Sequence, residues 1–102
     1  MVAATDGPAF RHVRLFVEGD HRSEEIAIAP SLEDAASRAA LFPSDGLLTD
    51  LAEAVVARER RHERSVHQVR VQVTRVEFES RKLKATERTL RSFVFVVPPD
   101  AR

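Results

Sequence analysis

Four histidines, at positions 12, 21, 62 and 67, are the chain's only imidazoles, and there is no cysteine. Disulfides, thiolate nucleophiles and cysteine metal sites are therefore excluded. His62 and His67 stand five residues apart across an expected helix-to-strand joint, so helical spacing cannot unite them, and no HExxH pattern is present. The three glycines, Gly7, Gly19 and Gly46, are isolated and form neither GxGxxG nor GxxxxGK[ST], which leaves nucleotide phosphates without a glycine-rich cradle. Ser23, Ser31, Ser44 and Ser65 fall at expected turns, helix starts and strand starts, and no GxSxG elbow surrounds a nucleophile. Glu24-Glu25, Glu33-Asp34 and the pair Glu77/Glu79 could do acid/base work. For the last pair, flanking Arg75 and Arg81 favour cross-strand ion pairing. No catalytic residue, metal ligand or cofactor site is assigned, and the expectation leans away from an enzyme.

The remaining chemistry is cationic. Arg70, Arg75, Arg81, Lys82, Lys84, Arg88 and Arg91 gather in the last third of the chain and could contact an anionic partner or phosphates. Sheets that bind single-stranded nucleic acid usually add exposed aromatics. Tyr and Trp are absent, and Phe78, Phe93 and Phe95 are expected in the core, which weakens that reading.

These residues must be positioned by a small fold. Of the 102 residues, 29 are Leu, Ile, Val or Phe, above the roughly 20% below which charged chains stay disordered. A chain of this size buries roughly 60 to 70% of its unfolded surface, enough for one core. Residues 1–102 are read as a single domain, with 1–8 disordered. Sixteen basic and sixteen acidic side chains cancel. Residues 1–65 hold 8 basic and 12 acidic side chains and residues 66–102 hold 8 and 4, so the two halves attract, within one copy or between copies. The start lacks a basic n-region and an apolar h-region, and no apolar run approaches about 18 residues. A cytoplasmic location without a membrane segment is expected. Fourteen Arg against two Lys, with abundant Ala, suggests a GC-rich, bacterial genome.

Alternation of Val13, Leu15 and Val17 against His12, Arg14, Phe16 and Glu18 predicts a strand over Ala9 to Glu18, and Ile26 and Ile28 a second over Glu24 to Ala29, joined by a turn at 19–23. Ser31 is expected to cap a short helix from Leu32 to Leu41, which Phe42-Pro43 stops. Leu47, Leu48, Leu51, Ala52, Val55 and Val56 predict a longer helix to about Arg64, with Ala57 to Arg64 as a solvated overhang. Val69, Val71 and Val73 predict a strand from Ser65 to Glu79. Val76 and Phe78 switch parity, which a bulge near Thr74-Arg75 would correct. After a broad connection over 80–87, Arg88 to Val97 forms the last strand, and its apolar residues on both faces suggest a central place in the sheet.

The order ββααββ predicts an α+β fold: one mainly antiparallel four-stranded sheet packed against one long and one short helix. The expected function is an interaction or accessory module that self-associates as a homodimer or docks onto a protein partner. The alternatives are a nucleic-acid-binding regulator using the basic 81–91 segment, and a ligand-binding or isomerase-like protein with His12 or Glu77 in a pocket. Phe16, Val94 and Val96 are expected to point away from the long helix, leaving apolar sheet surface open unless the short helix covers it.

Overall fold

The computed structural model describes residues 9–79 and 84–98, so the expectations for residues 1–8 and for Arg81 and Lys82 lie outside the described residues. The elements are β1 (Ala9–Gly19), β2 (Arg22–Ile26), a 3-10 turn (Pro30–Leu32), α1 (Glu33–Leu41), α2 (Asp45–Arg61), β3 (Gln68–Glu79) and β4 (Lys84–Val96). The strands form one antiparallel sheet in the order β2-β1-β3-β4. The α+β class and the ββααββ order are as the periodicities predict. Among the described residues no helix is long and apolar enough to cross a membrane.

Strand alternation decides the core. Val13, Leu15 and Val17 of β1 and Val69, Val71 and Val73 of β3 form one buried face. Both helices pack on that face: Ala36, Ala39 and Ala40 of α1 and Leu48, Leu51, Ala52 and Val55 of α2 share its cluster. Small side chains let α1 lie close to the sheet, and burying four leucine and eight valine side chains across the cluster supplies about 1.5 to 3 kcal/mol each before chain entropy is counted. Among the described residues the opposite face carries no helix, so the short helix does not shield it.

Several boundaries differ from the expectations, each for a local reason. The first turn is only Asp20-His21, with His21 at a positive φ of 57°, so β2 starts at Arg22 and Ile28 lies beyond its end. Ser31 caps nothing, because Pro30 opens a 3-10 turn that runs into α1 without a side-chain cap bond. Ser44 does cap α2, its Oγ accepting from Leu47 N at 3.2 Å. The parity switch in β3 is real: β1 and β3 pair without interruption from Ala9↔Glu77 to Glu18↔Gln68, which places Val76 and Phe78 on the open face. The irregularity does fall beside Val73/Thr74, but it lies between β3 and β4, where Leu90 is the extra residue. Phe78 is therefore 40% exposed rather than core, and Phe93 and Phe95 are half-buried. β4 begins at Lys84, and it is an edge strand, not a central one.

The β3-β4 hairpin and the start of β1 extend past the helices, giving a molecule of 61 × 26 × 21 Å. Its radius of gyration of 15.9 Å exceeds the roughly 13 Å of a compact domain this long.

Candidate functional site

The sheet register sorts the basic residues by face. Arg75 pairs with Arg88 on β4 and with Arg11 on β1. These three side chains therefore form a row across adjacent strands, on the face that carries the helices. Directly opposed like charges are unfavourable. Among the described residues the row's carboxylate partner is Glu77, whose Oε2 accepts from Arg75 Nε at 2.6 Å. That bond runs along β3, in place of the expected cross-strand pair; the side chains of Glu79 and Arg81 lie outside the described ones. Three guanidiniums side by side form a donor array suited to carboxylates or phosphates.

The rest of the basic set serves other ends. Arg70 projects from the open face, its guanidinium carbon 4.9 Å from the centre of the Phe16 ring, with that of Arg14 at 5.4 Å. The half-buried Phe16 is thus held by two cation–π contacts. Arg14 Nε and Nη2 donate to Glu25 at 2.9 and 2.7 Å. This hydrogen bond, aided by the positive charge and opposed by partial burial, lowers the Glu25 pKa from the usual carboxylate value. Arg91 is tied to the start of α2, donating to Pro43 O and Asp45. Lys84 stands at the far end of the ribbon, opposite Glu79.

The histidines disperse. His12 lies on the open face beside Phe10, ring centres 6.0 Å apart, while Glu77 occupies the other face, so the two do not converge on a pocket. His62 ends α2. His67 Nε2 lies 2.7 Å from Asp20 Oδ1 and depresses the Asp20 pKa through that hydrogen bond. Among the described residues no three His, Asp or Glu side chains cluster as metal ligands.

Sequence reasoning missed two groups. Arg11 completes the arginine row; it shares parity with Val13 and Leu15, so alternation alone could have placed it on the helix-side face. Glu59, expected in a solvated overhang, is buried with its side chain 2% exposed. It lies 2.8 Å from Arg22 Nη2 and 3.3 Å from Arg64 Nη1. Arg22 also donates to Ser65 O and Glu24, each at 3.0 Å. The Glu59 carboxylate raises the Arg22 pKa against the cost of burial. Gly19 packs so closely here that a Cβ would stand 2.2 Å from Ser65 O. This polar cluster joins the β1-β2 turn, the end of α2 and the entry to β3.

Two hollows adjoin these residues. One, of about 180 Å³, lies on the open face among Phe16, Glu18, Ser23, Glu25, Gln68 and Arg70. The other, of about 320 Å³, runs between β1 and α1, lined by Arg11, Val13, Ile28, Glu33, Ala36 and Ala40 among others.

Comparison with protein-family models, with curated proteins and with solved structures found no match.

Proposed function

We propose that the protein is an interaction module that self-associates as a two-fold dimer through the outer edge of β4. The carrying observation is the chemistry of that edge. Ser92-Phe93-Val94-Phe95-Val96 contains no charge, has high strand propensity and lies on an edge strand, with Val94 48% and Val96 66% exposed. Edge strands otherwise carry charges, prolines or a covering element against unwanted pairing. Val97 N donates to His67 O at 2.9 Å, so by alternation the Phe95 and Phe93 amides point inward to β3 and those of Ser92, Val94 and Val96 point outward.

An antiparallel two-fold pairing centred on Val94 opposes Ser92 to Val96 and Phe93 to Phe95 of the second copy. It sets Arg91 against Val97 rather than against its own counterpart. Each patch meets its copy twice, as a closed isologous contact requires, and the two open faces become one continuous surface. A nucleic-acid reading has some support in the exposed Phe10 and Phe78, whose rings lie 5.9 Å apart. That pair occupies the open face while the arginine row occupies the other, so one strand cannot use both.

Light scattering at micromolar concentration tests the dimer. The expected mass is twice the monomer's 11.4 kDa, falling to the monomer for Val94→Pro, which removes an outward amide but spares the inner ladder, and for Val94→Lys. A wild-type mass at the monomer value that does not rise with concentration would refute the proposal.

A further inference from the structure

A second strand edge is open, and its surroundings are chemically distinct. β2 pairs with β1 only from Leu15↔Ile26 to Gly19↔Arg22, so β1 from Ala9 to Arg14 has no outer neighbour among the described residues. The Glu18 carbonyl accepts from His67 N at 2.6 Å, which turns Glu18 toward β3. The backbone groups of the odd residues then turn the other way. Those of Leu15 and Val17 meet β2; those of Arg11 and Val13 face the hollow beside α1.

We infer that this edge accepts an extended acidic peptide segment of another protein, added as a fifth strand in the groove between β1 and α1. Two independent features specify it. The edge presents donors and acceptors in alternation, which a peptide backbone matches and a phosphate chain, having acceptors only, does not. The groove also ends in like charge: Arg11 lines it and is the first member of the row that continues through Arg75 and Arg88. Side chains of an added strand alternate between faces. One entering the hollow among Val13, Ile28, Ala36 and Ala40 meets an apolar lining and is itself favoured to be apolar. The side chain two positions away falls beside Arg11, where a carboxylate is favoured. The recognised feature is thus an apolar residue spaced two from an acidic one. Glu33, which also lines the groove, opposes the segment's charge and limits how acidic it can be.

The test uses two fluorescein-labelled peptides of identical composition, Thr-Val-Thr-Asp-Thr-Asp-Thr, with Val and Asp on one face, and Thr-Val-Asp-Thr-Asp-Thr-Thr, with Asp on the opposite face. A thymidine oligonucleotide and the full-length chain carrying Val94→Pro complete the set. Fluorescence anisotropy should show saturable binding of the first peptide and at least about tenfold weaker binding of the second, a difference of roughly 1.4 kcal/mol. Arg11→Ala should weaken binding several-fold, Arg11→Pro should weaken it further by also removing the outward amide, and Glu33→Gln should tighten it. Val94→Pro should leave it unchanged, which separates this site from the β4 dimer. Equal binding of both peptides, preferential binding of the oligonucleotide, or equal effects of Arg11→Ala and Arg11→Pro in variants whose circular dichroism matches wild type would overturn the inference. So would loss of peptide binding when Val94→Pro abolishes the dimer, since the occupant of the edge would then be a second copy.

Discussion

Glu59 ties three segments together through one carboxylate, and its two arginine partners make it a point where a single atom change is costly. Glu59→Gln removes the buried one of the two carboxylates that hold Arg22, whose side chain is only 16% exposed, and leaves it the exposed Glu24 alone. The expected loss is about 3 kcal/mol, the low end for breaking a buried pair on one side, because Glu24 still compensates part of the stranded charge. Chemical denaturation measures it, and a double Arg22→Met, Glu59→Leu variant should recover most of the loss. Glu25 behaves differently because it lies in water. Its folded-state pKa is depressed, so its contribution is present above the ordinary glutamate pKa and disappears as pH falls through the lowered folded value. NMR titration should find Glu25 below the usual value and Arg14→Ala should return it there. Neither role was legible in sequence. Glu59 stands in an arginine-rich run that reads as solvated, and its burial depends on where the β1-β2 turn docks. Arg14 and Glu25 are paired by the hairpin register, which a shift of one residue would undo.

β4 shows how an element can be read correctly and placed wrongly. The period-two pattern locates the strands and the 3.6 period locates α2 because local backbone geometry imposes both. Apolar residues on both faces of Phe93 to Val97 suggested a central strand, yet sheet order is set by long-range pairing that local pattern does not encode. An edge strand with two apolar faces reads the same way. The parity change in β3 does not mark a bulge in that strand, since Val76 and Phe78 do switch faces, and only the pairing of two strands shows that Leu90 of β4 is the extra residue. Half-burial of Phe95 on the edge has an energetic consequence. Full burial would make Phe95→Ala cost about 3 to 5 kcal/mol, whereas half-burial on an edge strand reduces this to about 2. Leu51→Ala, in a side chain with no exposure, should cost about 2 to 5 kcal/mol and rank above it. Urea midpoints of the two variants check the order. The candidate arginine row was half legible: Arg75 and Arg88 were among the basic residues singled out, while Arg11 lies far away in sequence and joins them only through the β1-β3 pairing.

At the scale of the whole molecule, the sheet divides into a helix-backed half and a ribbon that continues past the helices. The helix-backed half holds the valine and leucine core, and the ribbon relies on ladder hydrogen bonds and cross-strand pairs. The central seam between β1 and β3 has a kinetic consequence. The β1-β2 and β3-β4 pairings join neighbours in sequence, and such hairpins close in roughly 1 to 10 μs. Val17↔Val69 joins strands separated by both helices, so its loop-closure entropy must be met before the contacts that reward it exist. The rate-limiting step is therefore expected to be the docking of one hairpin on the other through the helices. In stopped-flow measurements, Val71→Ala and Leu15→Ala should slow folding nearly in proportion to the stability lost. Val76→Ala, in the ribbon, should leave the folding rate almost unchanged and speed unfolding instead. The slowest contact to form is thus the one at the centre of the sheet, and until it closes two separate hairpins expose the edges that the finished sheet keeps between them.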